Sequence, residues 1–234
     1  RPAGWSSLKF ADDSAVLTRA VKRTVSVDLT PLARTNYDSD SDGRPIVFAN
    51  SYLRRGSYTT LPVTGDSRRT VELSASLGEF EPATFSVRAT GRELRDVRAQ
   101  VTGDLQNARG DVIPANNVEI RVIELWRRQM NSRQHMFMER FLEKQTALDI
   151  PRHTTRRFWL TVHVPEQAGE GTYRSHIRIT TGGSKIEQLD LQVQVLPFRL
   201  QQAAGMGYFM YLPTWGIPPK LRTAAYLKRI FVDM

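Results

Sequence analysis

The sequence predicts a mainly β protein: an antiparallel β-sandwich followed by the first βα element of a (β/α) barrel. Seven segments alternate apolar and polar residues, turn residues separate them, and the C-terminal stretch breaks the alternation. Antiparallel strands with one face in the core and one in solvent produce this alternation, whereas parallel strands buried on both faces read as continuous apolar runs. Seven such strands without intervening helices are typical of a sandwich.

The alternating segments follow one another from residue 71 to residue 195. They are 71–75, 83–89, 97–101, 118–125, 158–164, 173–179 and 189–195. Turns are predicted at Gly78, Gly91, Gly103, Asn116-Asn117, Gly169 with Gly171, and Gly182-Gly183. In the fourth segment the apolar phase slips by one residue, from Val122 to Ile123, which indicates a β-bulge.

Two regions depart from this pattern. Residues 134–146 carry Met136, Phe137, Phe141 and Leu142, which lie either on one helical face or on a long excursion between strands. Residues 36–43 are polar and acidic with alternating aspartates, which predicts an exposed loop. The loop lacks the glutamate that completes an EF-hand, so we expect no calcium site there.

The C-terminal stretch predicts a second domain. Residues 205–213 are apolar without alternation, as in a strand buried on both faces. Pro218-Pro219 then leads into residues 220–234, where Leu227, Phe231 and Met234 fall on one helical face. Because a single βα unit cannot cover its own apolar surface, we expect the front part of a longer protein. The predicted organisation is an N-terminal extension or the end of a preceding domain (1–45), a β-sandwich (46–200) and a truncated barrel start (201–234).

Composition and charge exclude several classes of function. The 234 residues contain no cysteine, which excludes disulfides, Cys-ligated zinc and thiol catalysis, and no apolar run of about 20 residues that would span a membrane. The net charge is +9, but the arginines are scattered. Five of them fall at outward strand positions: Arg88, Arg98, Arg121, Arg174 and Arg178. We therefore expect a solvated surface and no nucleic-acid partner.

Five short segments, in order, resemble one family of modules. They are LGEFEPATFSV (77–87), IPANNV (113–118), FWLTVHVP (158–165), AGEGTY (168–173) and VLPF (195–198). Together they resemble the β-sandwich module that precedes the catalytic barrel in glycoside hydrolase family 123 and its uncharacterised secreted relatives. The similarity covers about residues 48–234, and the fourth segment resembles that family's hairpin turn.

The resemblance implies a function for the parent protein. In that family a neighbouring Asp-Glu pair on the barrel hydrolyses a β-linked N-acetylhexosamine, with the acetamido group of the substrate as nucleophile. Glutamate acts as general acid/base and aspartate orients the acetamido group. Those strands come after Met234, so no catalytic residue and no cofactor is expected in this chain. The implied partners are a carbohydrate and the downstream barrel, and the implied location is the bacterial envelope or exterior, although no signal peptide is visible at Arg1.

A second interpretation stays open beside this one. A stand-alone carbohydrate-binding module, or an envelope or filament assembly module without catalysis, would show the same alternation. Exposed aromatic residues on one sheet would favour sugar binding, and unpaired edge strands joined between subunits would favour assembly.

Four residues are candidates for substrate contact. Tyr211, Thr214 and Trp215 follow the presumed first barrel strand, at the end where barrel active sites lie. Trp159 falls on the polar face of its strand, where it either stacks on a sugar or packs beneath another segment. The alternative role for the first three residues, Tyr211, Thr214 and Trp215, is packing against the sandwich.

We predict structural roles for the remaining polar residues. Glu79 and Glu81 are two residues apart, and we expect them to accept backbone N–H bonds at a corner. The four histidines do not have the spacing of metal ligands, so no metal site is predicted. His163 and His176 are expected near each other across a hairpin.

Overall fold

The computed structural model describes residues 43–66, 69–129, 135–144, 146–201 and 219–232. The chain divides into two compact units, residues 1–200 and 201–234. In the described part of the first unit, twelve strands form two sheets. The predicted mainly β class is confirmed.

The first sheet has five strands in the spatial order β1-β3-β10-β7-β8. Their bounds are β1 Ile46–Ala49, β3 Phe80–Arg88, β7 Val118–Gln129, β8 His135–Glu143 and β10 Thr155–His163. All four pairings are antiparallel. The central pairs β3–β10 and β10–β7 place Phe158 beside both Phe85 and Val122.

The second sheet has seven strands, with β2-β12-β11-β4-β9 as its main order, β5 attached to β11 and β6 attached to β5. Their bounds are β2 Thr70–Leu77, β4 Leu94–Val101, β5 Leu105–Gln106, β6 Val112–Ile113, β9 Leu148–Ile150, β11 Gly171–Thr181 and β12 Ser184–Arg199. β2 runs parallel to β12, and the other pairings are antiparallel. The β11–β12 hairpin turns at Gly182 and Gly183, whose φ values of 53° and 80° suit a tight hairpin turn.

The core lies between the inner faces of the two sheets. The rings of Phe85 and Phe158 stack in the first sheet with centroids 4.9 Å apart. The second sheet contributes Tyr173, Ile177, Leu191 and Val193, all fully buried. Burying a side chain of this size contributes about 1.5–3 kcal/mol, so this layer is the main source of stability.

All seven predicted strands are present, as β2, β3, β4, β7, β10, β11 and β12. The alternation predicts burial well in β11 and β12, where inward residues are buried and their neighbours face outward. It fails in β3, because every residue from Ala83 to Arg88 is buried. Arg88 was expected to face outward, yet it is fully buried and donates to the hydroxyl of Thr155 over 3.3 Å.

Residues 50–66, which we call the cover segment, explain that failure. Its main chain is hydrogen-bonded to β3 and β10: the Asn50 N–H donates to Thr84 O, and the Thr155 N–H donates to Tyr58 O. The Thr155 hydroxyl also donates to Thr60 O over 2.6 Å. This part of the first sheet therefore lies beneath the cover segment instead of facing solvent.

The predicted helix or excursion at 134–146 is strand β8. Among the described strands, β7 pairs with β10 from Val118 to Val122, and its remainder pairs only with β8. The β7–β8 hairpin beyond residue 122, which we call the arm, is therefore a two-stranded extension of the sheet. The predicted bulge is displaced: pairing is irregular between Glu124 and Leu125, and the extra residue is Arg140 of β8.

The C-terminal unit contains a short 3₁₀ turn, Pro219–Leu221, and helix α1, Ala224–Val232. Thr223 begins the helix, because its hydroxyl accepts from the Tyr226 N–H over 3.2 Å and its carbonyl accepts from the Leu227 N–H. The predicted helix is thus present. The preceding strand predicted at 205–213 lies outside the described residues, so the barrel start stays a prediction. Within the described ranges, no helix combines the length and apolar character that crossing a membrane requires.

Candidate functional site

Trp159 lies on β10 opposite Thr84 of β3 and Arg121 of β7. Its side chain is half-buried, and the ring of Tyr52 from the cover segment meets it edge-on, with centroids 5.8 Å apart. The aromatic surface is therefore shared between a strand and the cover segment. Tyr52 therefore covers part of the Trp159 ring. Sugar contact at Trp159 stays a prediction.

A cavity of about 590 Å³ lies beside this ring pair, between the cover segment, β2 and β3. Its wall includes Asn50, Tyr52, Glu72 and Glu81. Pockets that hold small ligands have volumes of about 300–1,000 Å³, so the space would admit one. Burial, and secondarily the charge of Glu79, raises the pKa of the Glu81 carboxyl.

Three of the predicted contact residues, Tyr211, Thr214 and Trp215, lie outside the described residues. Their role at a barrel active site remains a prediction.

Glu79 has the structural role predicted for it. Its carboxylate accepts from the Ser76 N–H over 2.7 Å and from the Ser76 hydroxyl over 2.9 Å. Gly78 before it has φ of 80°, a conformation that favours glycine, and its N–H donates to Val164 O. The GEFEP and VHVP segments therefore meet at the corner where the chain passes from the second sheet to the first.

The AGEGTY segment is not a hairpin, because β10 and β11 belong to different sheets. It carries the chain from one sheet to the other. The buried Tyr173 donates its hydroxyl to Gly169 O over 2.9 Å, and burial, then the charge of Asp111, raises the pKa of this phenol. A Cβ at Gly169 would collide with the Asp111 carboxylate, and Gly171 has φ of 133°. The conformation of Gly171 therefore favours glycine, whereas a side chain at Gly169 would displace the exposed Asp111 side chain.

The expected proximity of His163 and His176 is wrong for the same reason, since they lie on β10 and β11. His163 stacks on Phe80 with ring centroids 4.2 Å apart. His176 lies 3.5 Å from Asp190 on the second sheet. Among the residues that the structure describes, no three histidine or acidic side chains are placed to hold a metal ion.

A buried arginine in the first sheet was not anticipated from the sequence. The Arg157 side chain, 5% exposed, lies 3.1 Å from the Glu139 carboxylate. It also donates to Ser51 O, Arg54 O and the Thr84 hydroxyl. Arg157 therefore joins β10, the arm and the cover segment. In the sequence, Arg157 is an arginine at an outward position of a strand. That pattern does not distinguish a buried arginine from a solvated one.

The other side of the arm carries an exposed aromatic cluster. Trp126 is 53% exposed and Phe141 is 43% exposed, with ring centroids 5.4 Å apart. The guanidinium carbon of Arg140 lies 5.3 Å from the Trp126 centroid and 5.4 Å from the Phe141 centroid. We call these three residues the Trp126 platform. The sequence left Trp126 ambiguous, and the bulge at Arg140 concealed the strand that brings the three together.

Comparison with known proteins identifies the family of this fold. The family model of the glycoside hydrolase 123 N-terminal domain matches residues 62–181, just over half of the chain. A family 123 glycoside hydrolase from Clostridium perfringens, studied for glycolipid glycan hydrolysis, has a similar structure, with a TM-score of 0.58 and 16% identity. The match covers 66% of this chain and 27% of that one, so this chain corresponds to about a quarter of the enzyme's length.

Other similarities are weaker. PapD-like domain 7 of human CEP192 matches 76% of this chain and 99% of its own, at 11% identity and a TM-score of 0.34, which supports no conclusion about this chain. No curated protein sequence matches it. The family model covers four of the five sequence segments: the chain belongs to the glycoside hydrolase 123 N-terminal domain family.

Proposed function

We propose that this chain is the non-catalytic β-sandwich portion of a secreted, carbohydrate-active protein of the β-N-acetylhexosaminidase type. Its role is to support a catalytic barrel that follows in the same protein. The observation that carries this proposal is the family match over residues 62–181. Fold alone would not carry it, because sandwiches serve many functions.

Two features of the structure favour this role as a support for a barrel. The motif segments that carry the resemblance, GEFEP, VHVP and AGEGTY, act at corners between the sheets, where Glu79 and Tyr173 make hydrogen bonds to nearby groups. In addition, the carboxyl groups of Glu79 and Glu139 are engaged, by Ser76 and by Arg157 respectively. These contacts favour a role for both carboxylates in maintaining the fold, as the proposal requires.

Hydrolysis assays separate this proposal from its alternatives. The chain of 234 residues and its full-length parent would both be incubated with 4-nitrophenyl N-acetyl-β-hexosaminides. We expect the parent to release nitrophenol and the chain alone to release none. Hydrolysis by the chain alone would contradict the non-catalytic role, and an inactive parent would contradict the hexosaminidase assignment.

The second candidate is a stand-alone carbohydrate-binding module, which the exposed Trp126 and Phe141 favour. It predicts that this chain binds saccharides while a parent protein hydrolyses none.

A further inference from the structure

The arm has two unlike sides. On one side Phe137 meets Tyr58 of the cover segment at 5.2 Å, and Glu139 bonds to Arg157. The other side carries the Trp126 platform, with Trp126 53% exposed. A two-stranded ribbon is marginally stable by itself, so the covered side holds the arm in place. The platform is thereby displayed on a fixed support.

The charge on the platform is unbalanced. Arg140 contacts two rings but makes no hydrogen bond or ion pair within the described residues. The two acids beside it in the pairing have other partners: Glu139 is engaged by Arg157, and Glu124, opposite Phe141, by Arg156 over 2.5 Å. A guanidinium that contacts aromatic rings without donating a hydrogen bond keeps N–H groups available, and two of them match a carboxylate in a two-pronged bond.

We propose that the Trp126 platform binds an acidic saccharide. The carboxylate of the sugar bonds to the edge of Arg140, while the C–H face of its ring packs on Trp126. Charge complementarity selects an anionic partner, and the net charge of +9 would increase its rate of encounter. The assignment of a saccharide, as opposed to another anion, rests on the proposed function. The assignment of a carboxylate rests on Arg140.

The test uses the 234-residue chain labelled with ¹⁵N and follows the indole N–H of Trp126, assigned from its loss in Trp126→Phe. Trigalacturonic acid and 3′-sialyllactose supply the carboxylate on two different sugars, so the two titrations distinguish a uronic from a sialic acid. The methyl ester of trigalacturonic acid and lactose are their neutral counterparts. Hexaglutamate supplies carboxylates without a sugar.

We expect at least one acidic saccharide to shift this signal with a Kd of about 1 mM or tighter. Arg140→Gln should weaken that binding at least tenfold, as should use of the neutral counterpart. Arg178→Gln, an exposed arginine on β11 of the other sheet, is the matched control and should leave Kd unchanged. Hexaglutamate should bind at least tenfold more weakly.

Four results would overturn the proposal. The first is no shift of the Trp126 signal with either acidic saccharide at about 10 mM. The second is an equal loss of saccharide affinity in Arg140→Gln and Arg178→Gln, and the third is binding of hexaglutamate as tight as that of the acidic saccharide. The fourth is that the chain is a dimer which Trp126→Ala dissociates, because the platform would then be an interface between two copies. None of them bears on hydrolysis by the parent protein, so failure here and failure of the proposed function are told apart by the hydrolysis assay.

Discussion

The outer faces of the two sheets differ in kind. On β11 of the second sheet, Arg174, His176 and Arg178 are exposed beside the buried Tyr173 and Ile177. On β3 of the first sheet, Thr84, Ser86 and Arg88 are as buried as Phe85 and Val87. Outward polar residues, arginine among them, are therefore solvated on one sheet and buried on the other. The difference is the cover segment, since β3 and β10 are the strands to which it bonds.

This contrast makes an arginine costly to lose on one sheet and neutral on the other. Arg157→Met should lower the free energy of unfolding by about 3 kcal/mol or more, because Glu139 would stay half-buried without its partner. Arg178→Met should change it by less than about 0.5 kcal/mol. Urea unfolding of the two variants measures both, and equal effects would remove the distinction between the sheets.

Close packing of the cover segment on the arm gives the second prediction. A Cβ at Gly56 would collide with the Glu139 carboxylate and lie 3.3 Å from Arg157 Cδ. Gly56→Ala should therefore cost about 1–3 kcal/mol of the unfolding free energy. Gly103 has open space around its Cβ position, so Gly103→Ala is the control. Thermal unfolding with an unchanged Tm for Gly56→Ala would show that the cover segment is not packed as described.

The second sheet should lose stability only through its inner face. Tyr173→Phe removes the hydrogen bond to Gly169 O and should cost about 1 kcal/mol in urea unfolding. The neighbouring Arg174→Gln, on the exposed face, should have no measurable effect. A larger loss from Arg174→Gln than from Tyr173→Phe would reverse the assignment of the two faces.

The smallest effect concerns Glu81 of β3. Burial, then the charge of Glu79, raises the pKa of Glu81 in the folded state, so folding favours its protonated form. Its stabilising contribution is fully present below the unfolded pKa of about 4.3 and is lost as pH rises through the folded value. Glu81→Gln should therefore gain stability relative to the native chain as pH rises over that range. Unfolding of both proteins from pH 4 to 7 measures this difference, and a difference in stability that does not change with pH would contradict the expected trend.

How far the sequence predicts the fold depends on the sheet. Period-two alternation located β11 and β12 and the turn at Gly182-Gly183, because only one face of these strands is buried. It missed the buried Arg88 and Arg157, because alternation marks a polar face without showing what covers that face. The cover segment has little regular secondary structure and no periodicity, so nothing in its sequence indicated its position.

The candidate site was predicted in part for similar reasons. Trp159 stood out because it interrupts a polar face, and its contact with Tyr52 explains that placement. The Trp126 platform was concealed by the bulge at Arg140, which breaks the strand period. The spacing of Phe137 and Phe141 by four residues then resembled a helix. A bulge is a pairing property of two strands, so one strand's sequence does not determine it.

The claim that this sandwich supports catalysis without taking part in it is tested most directly by activity across these variants. Arg157→Met, Gly56→Ala and Tyr173→Phe would be placed in the full-length parent, and kcat/KM on a β-linked N-acetylhexosaminide measured where each protein is still folded. We predict that Tm falls across the series while kcat/KM stays within about twofold, which corresponds to under ~0.5 kcal/mol in the barrier. A variant that loses tenfold or more in kcat/KM with an unchanged Tm would contradict the account.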